Sequence, residues 1–127
     1  MLGAYPYALY EIPRDSLDAF LRQTDLAGFN VTTPYKELVM PYCTSLSDTA
    51  QRIGSVNTML RKPDGTYAGD NTDYAGFLRM LPQDAQHFKG KKALILGSGG
   101  ASKTVRAVLK DLGMNPITVS RRGPVNY

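Results

Sequence analysis

The sequence predicts an α/β chain: a first sheet-and-helix unit carrying polar motifs, then a strand–turn–helix–strand unit with a glycine-rich turn. Two observations carry this. Short β-branched or alternating runs are interleaved with helical-period stretches along the first 80 or so residues. The segment Lys91–Ser120 then reads as an apolar strand, the turn Gly97-Ser98-Gly99-Gly100-Ala101-Ser102, a helix stopped by Gly113, and a second strand. At 127 residues and 43% apolar content, the chain is the size of one ordinary domain with a core.

The elements follow in order. Tyr5–Ile12 alternates and predicts a strand that Pro13 ends. Asp15 or Ser16 caps a helix to about Gln23, with Leu17, Phe20 and Leu21 on one face. Ala27–Thr33 predicts a strand, and Pro34 opens a helix through Cys43 that Pro41 kinks or shortens. Ser47–Arg52 is a short helix stopped at Gly54. Ser55–Arg61 and Thr66–Asp70 form a hairpin about Asp64-Gly65. Thr72–Leu81 is a helix with Asp73 in its first turn. Lys91–Leu96 is a buried parallel strand, Gly100–Leu112 a helix, and Asn115–Ser120 the next strand, before Gly123-Pro124 breaks the chain. The polar stretch Leu81–Gly90 marks a boundary, giving units 1–84 and 85–127.

Composition narrows the function classes. No apolar run approaches the ~20 residues of a membrane span, and the N-terminus lacks a basic region followed by an apolar stretch, so neither a membrane role nor a signal peptide is expected. The single cysteine, Cys43, rules out an internal disulfide framework and fits the cytoplasm. With one cysteine and one histidine, no usual zinc site is expected, and no metal. The net charge of +4 is scattered or flanks the glycine turn, so no nucleic-acid partner is expected.

The glycine turn has the layout of a dinucleotide site. Gly97 permits the tight turn, Gly99 lets a pyrophosphate approach the backbone, and the helix from Gly100 offers free N–H groups and a positive dipole end. The same residues lie one position from a P-loop, G-x-x-x-x-G-K-[ST], but Ser102 replaces the glycine before the lysine and the next strand ends without an acidic residue for magnesium. That strand ends in Ser120-Arg121-Arg122 rather than in the Asp or Glu that would hold a ribose hydroxyl. Guanidinium groups suit a 2′-phosphate, so the cofactor expected is NADP, held by Gly97, Ser98, Gly99, Gly100, Ala101, Ser120, Arg121 and Arg122.

Three polar motifs precede this unit: NVTTPYK at Asn30–Lys36, GSVNT at Gly54–Thr58 and GDNTDYAGF at Gly69–Phe77. They place Thr32 at a strand end, Lys36 in the first turn of a helix, where the dipole disfavours its charge, and Asp73 at a helix start. Lysine and aspartate together make a proton-transfer pair, and Thr32, Asn57 and Asn71 add neutral donors and acceptors for a polyhydroxy ligand. Alcohol oxidation by NADP needs such a site, because one hydride leaves carbon and one proton leaves oxygen.

NVTTPYK, IGSVNT, NTDYAGF and ILGSGGAS, in this order, resemble shikimate dehydrogenase over essentially the whole chain from about Tyr5. The resemblance implies a substrate-binding α/β domain followed by the start of a Rossmann NADP-binding domain. The activity it implies is reversible NADPH-dependent reduction of 3-dehydroshikimate to shikimate, in aromatic amino-acid biosynthesis. It assigns Lys36 as proton carrier, Asp73 as its orienting and substrate-binding partner, and Thr32 and Asn57 as substrate ligands. Against the family pattern, an opening strand and helix with a Ser-x-Ser-Pro stretch and the later strands with a substrate-facing glutamine have no counterpart here. Ser120-Arg121-Arg122 stands where Asn-Arg-Thr is common. The resemblance therefore implies a chain truncated at both ends, with poor or no turnover alone and a tendency to form a homodimer or to pair sheet edges. Three other readings stand beside it: an NAD-linked quinate/shikimate dehydrogenase, which acidic residues at 120–122 would favour, a non-catalytic remnant that binds ligand or assembles with a partner, and a P-loop nucleotide hydrolase.

Overall fold

A computed structural model describes residues 7–82 and 87–121. A 3-10 turn at Arg14–Ser16 leads into α1 (Leu17–Gln23), which buries Leu17 and Leu21. Strand β1 (Gly28–Asn30) follows, then a series of turns ending in a 3-10 turn at Met40–Tyr42, then β2 (Cys43–Leu46). Helix α2 (Asp48–Ile53) has Ser47 as its cap: the Ser47 hydroxyl accepts from the Ala50 N–H at 3.1 Å. Gly54 closes it at φ 72°, the left-handed conformation that glycine adopts without steric cost. Strands β3 (Thr58–Arg61) and β4 (Tyr67–Asp70) form the expected hairpin, with Thr58 opposite Asp70 and Arg61 opposite Tyr67. Helix α3 (Asp73–Met80) then leads toward β5 (Lys92–Leu96), α4 (Gly100–Asp111) and β6 (Asn115–Val119).

The first sheet has the order β1-β3-β4-β2, antiparallel except for the parallel pair β2/β4. Its core gathers Val39, Ala50, Val56 and Met59, all nearly or wholly buried, with Leu17, Leu21, Val31 and Tyr67. Phe20, Phe29 and Tyr67 extend it as a chain of edge-on rings 5.9 and 5.7 Å apart. The second sheet is the parallel pair β5/β6, from Lys92 opposite Asn115 to Leu96 opposite Val119, with α4 as crossover.

Five elements differ from the expectation. Tyr7–Ile12 forms no strand; alternation alone does not suffice without a hydrogen-bonding neighbour, and Tyr5 lies outside the described residues. The strand expected over Ala27–Thr33 shrinks to Gly28–Asn30. Residues 34–43 are not an α-helix. The Lys36 carbonyl accepts from the Val56 N–H at 2.7 Å, so Met40 N–H turns to Glu37 instead, and Pro41 has no N–H to give. Cys43, expected to end that helix, instead opens a strand over Cys43–Leu46, a segment given no element from the sequence and made a strand by pairing with β4. Finally, β5 is parallel but buried only at Ile95: Leu94 and Leu96 are 65% and 76% exposed, on a face that no described residue covers. The boundary at 84/85 and Gly123-Pro124 lie outside the described residues.

Candidate functional site

The polar motifs converge where β1, β3 and α3 meet. Val31 N–H donates to the Asn57 carbonyl at 2.7 Å and Asn57 N–H to the Asp70 carbonyl at 3.0 Å, which aligns the three segments side by side. Lys36 Nζ donates to Asp73 Oδ2 at 2.6 Å, across 37 residues of sequence. The lysine side chain is 14% exposed and the aspartate 39%, so the pair sits at a surface with its cation the more enclosed partner. Asn57 Nδ2 donates to the other oxygen, Asp73 Oδ1, at 2.8 Å and to Thr72 Oγ1 at 2.9 Å. Asn57 Oδ1 accepts from the Thr72 N–H at 2.9 Å and from the Thr58 hydroxyl at 3.0 Å. Every polar atom of the Asn57 carboxamide is thus engaged, and both Asp73 oxygens are held in fixed directions. A carboxylate so placed fixes the ammonium, leaving the remaining Lys36 protons for a ligand oxygen.

Lys36, Asp73 and Asn57 are therefore joined directly. Thr32 lies one residue past the Val31–Asn57 bond, exposed, its carbonyl accepting from Tyr35 N–H at 2.8 Å. The expected helix-dipole effect on Lys36 falls away with the helix itself; its backbone is set by the Val56 bond instead. Asn71 is not open to a ligand. It is 3% exposed, and its amide donates to the Ser55 carbonyl at 2.9 Å and to Thr104 Oγ1 at 3.1 Å, while its Oδ1 accepts from Tyr74 N–H at 3.2 Å. Two residues not singled out from the sequence are part of the cluster: Thr72, which closes the ring about Asn57, and Thr104, which joins it from α4. An N-T-D triplet at a helix start carries a local capping signal for Thr72, whereas nothing local points to Thr104.

The glycine turn abuts this cluster. A Cβ on Gly100 would lie 2.9 Å from Ser55 Oγ and 3.0 Å from Lys36 Cβ, so only glycine admits this contact undisturbed. Gly97 has φ 117°, and its N–H donates to the Val119 carbonyl at 2.8 Å, tying the turn to the end of β6. Gly99 is the helix cap, and the first turn of α4 leaves N–H groups without intrahelical partners beside Ser98 and Ala101. Ser102 Oγ donates to the Gly99 carbonyl at 2.7 Å. The Ser120 hydroxyl, buried just past β6, has no hydrogen-bond partner among the described residues, and Arg121 beside it is exposed; Arg122 lies outside the described residues. Three further contacts bind α4 to the first sheet unit: Lys103 to Glu37 at 2.6 Å, Arg52 to Asp111 at 2.8 Å, and the Tyr74 hydroxyl to Asp111 at 2.6 Å. The Tyr74 hydroxyl and then Arg52 hold the Asp111 carboxyl below its ordinary range, and the same bond to Asp111 raises the tyrosine. Among the described residues no cluster of His, Cys, Asp and Glu suited to a metal ion occurs, and no helix is long and apolar enough to cross a membrane.

Fold and cluster define the class: an α/β protein in which a Lys–Asp–Asn cluster at the side of a mixed sheet faces the N-terminal end of a glycine-turn βαβ helix. Residues 3–59 match the shikimate dehydrogenase substrate binding domain. The NADP(+) shikimate dehydrogenase of Clostridium botulinum is 36% identical over 121 residues, 93% of this chain and 46% of that protein. Shikimate dehydrogenase 1 of Peptoclostridium difficile superposes with a TM-score of 0.77 at 35% identity, over 93% of this chain and 47% of its own. The Thermus thermophilus enzyme, solved in complex with NADP(H) and shikimate, gives 0.71 at 36% identity over 87% of this chain and 42% of its own. The chain is thus similar to shikimate dehydrogenases along most of its length, and it spans about half the length of the relatives it matches.

Proposed function

We propose that this chain serves the NADP(H)-linked interconversion of 3-dehydroshikimate and shikimate, with residues 1–84 holding the substrate and residues 85–127 belonging to a Rossmann unit for the nucleotide. The observation that carries the reading is the Lys36–Asp73–Asn57 cluster packed against Gly100, which brings a proton-transfer pair beside a dinucleotide-type turn. Lys36 gives a proton to the substrate oxygen in the reducing direction and takes it back in the other. Asp73 orients Lys36 and accepts from a substrate hydroxyl, Asn57 fixes Asp73, and Thr32 supplies a further hydroxyl to the ligand. NADPH, when bound, supplies the hydride to the carbon that bears that oxygen. Its phosphates suit the first turn of α4 at Gly97–Ala101, where Gly97 takes a positive φ and the helix start offers backbone N–H groups. The unpartnered Ser120 hydroxyl and the arginines at 121 and 122 suit a 2′-phosphate. The reading extends to a cytoplasmic location and to self-association through sheet edges such as β1, which has one neighbour among the described strands.

Calorimetric titration of the chain with shikimate, NADP⁺ and NAD⁺ tests it. Both shikimate and NADP⁺ bind, with NADP⁺ preferred to NAD⁺ at least tenfold. Lys36→Ala weakens shikimate at least tenfold and leaves NADP⁺ unchanged, whereas Arg121→Ala does the reverse. A chain that binds neither ligand, or whose shikimate affinity survives Lys36→Ala, overturns the proposal.

A further inference from the structure

One buried polar contact joins the two halves. Asn71 is 3% exposed, Thr104 1% and Ser55 0%. The Asn71 amide donates both to the Ser55 carbonyl, in the loop before Asn57, and to Thr104 Oγ1 on α4. The Thr104 hydroxyl in turn donates to the Gly100 carbonyl, one helical turn back, at 3.4 Å. Gly100 packs on Lys36 Cβ, and the Lys36 carbonyl holds Val56 N–H. The contacts therefore close a ring that runs Asn71, Thr104, Gly100, Lys36, Val56, Ser55 and back to Asn71. Asn71 also caps the start of α3 two residues from Asp73. The other side-chain links between the halves among the described residues are exposed to solvent: the Tyr74 hydroxyl bond to Asp111, and the ion pairs Lys103–Glu37 and Arg52–Asp111, whose side chains are 40–51% exposed and screened. The buried bond is directional and has no water to replace it if it breaks.

We propose that Asn71 and Thr104 are positioning residues: their buried hydrogen bond sets the separation between the glycine turn of α4 and the Lys36–Asp73 pair. The functional weight of that separation rests on the reading above, but the bond itself does not. Thr104→Val keeps the volume and removes the hydroxyl; Thr104→Ser keeps the hydroxyl.

Amide hydrogen exchange, resolved by NMR, is compared in the unmodified chain and both variants. Thr104→Val is expected to speed exchange at Val56, Asn57 and Tyr74 at least tenfold beyond any change at Met59 and Leu60 in the sheet. Thr104→Ser is expected to stay within threefold of the unmodified chain. An equal rise at all amides means a loss of general stability and overturns the proposal, as does Thr104→Ser matching Thr104→Val. In the unmodified chain, needing no variant, the Asn71 side-chain amide protons exchange at least a hundredfold more slowly than those of a free asparagine; fast exchange also overturns it. Added NADP⁺ then shifts the Asp73 and Asn57 resonances in the unmodified chain and in Thr104→Ser, and at least threefold less in Thr104→Val. A chain indifferent to NADP⁺ counts against the proposed function alone, since the exchange results still decide the tether.

Discussion

Gly100→Ala and Gly76→Ala are the same substitution at two helical glycines, and the structure gives them opposite signs. Gly76 lies in the middle of α3, exposed, with nothing within 4 Å of an added Cβ. Alanine there gains helix propensity of about 0.5–1 kcal/mol and meets no obstacle. Gly100 is the first residue of α4, and its added Cβ meets Ser55 Oγ at 2.9 Å and Lys36 Cβ at 3.0 Å. The serine hydroxyl can rotate away. Lys36 Cβ cannot, because it rides on a backbone whose carbonyl is bonded to Val56. Overpacking of this kind costs about 1–3 kcal/mol, and the propensity gain, at most about 1 kcal/mol, offsets part of it. The net loss falls within about 0–2.5 kcal/mol, centred a little above 1 kcal/mol. With a urea slope of about 1–3 kcal/mol/M, a loss of about 1.5 kcal/mol lowers the unfolding midpoint by about 0.5–1.5 M. Gly76→Ala raises the midpoint under the same conditions. Urea unfolding followed by circular dichroism measures both. A Gly100→Ala protein as stable as the Gly76→Ala protein would refute the close approach of α4 to Lys36, and with it the placement of the glycine turn beside the cluster.

Two further outcomes follow from the titrating groups. The Asp111 carboxyl is lowered in the folded chain, so its contribution is present above the ordinary carboxylate value of about 4 and fades as pH falls through the lowered one. Tyr74 is raised, so its contribution is present below the ordinary tyrosine value of about 10 and fades as pH climbs through the raised one. Stability therefore has a plateau bounded on both sides, and Phe at position 74 (Tyr74→Phe) makes the alkaline limb shallower, leaving the part set by the buried Cys43 thiol; an unaltered alkaline limb in that variant would count against the Tyr74–Asp111 bond. Burial raises the Cys43 thiol, which sits against Gly69 and donates to the Val39 carbonyl at 3.6 Å. Alkylation by iodoacetamide at pH 8 is expected to be at least tenfold slower in the folded chain than in urea, and equal rates would contradict the packing of β2 on β4.

Where local chemistry decides an element, the sequence was legible. Ser47 and Gly54 bracket α2 as cap and stop. Asp64-Gly65 makes the hairpin, Gly65 at φ 82° and the Asp64 carboxylate accepting from Thr66 N–H at 2.9 Å. Gly113 ends α4 at φ 75°. The errors share one cause, which is a long-range bond overriding a local preference. Residues 34–43 have no strong barrier to helix before Pro41, yet the Lys36 carbonyl is claimed by Val56, twenty residues on. CTSL carries no alternation worth reading, yet it becomes a strand because Tyr67–Gly69 offers it a parallel partner. Tyr7–Ile12 shows the converse: a strand-like pattern with no backbone strand partner among the described residues stays outside the sheet.

The candidate site was legible as residue types and not as geometry. A lysine, an aspartate and an asparagine in separate motifs suggest proton transfer, but their spacing cannot show that Asn57 grips the carboxylate from the side opposite Lys36. Nor can it separate the two asparagines. Asn57 and Asn71 look equally available in sequence, yet Asn57 bonds Asp73 whereas Asn71 is sealed beneath α4. Both are buried, at 9% and 3% exposed, so their partners decide between them, and the Asn71 partner Thr104 lies on α4, which begins some thirty residues later. An asparagine sealed in this way has to satisfy its polar atoms within the protein, and Asn71 does so through three separate elements. Such a residue serves the site by fixing distances, and its effect is read in the rigidity of its neighbours before it is read in any ligand.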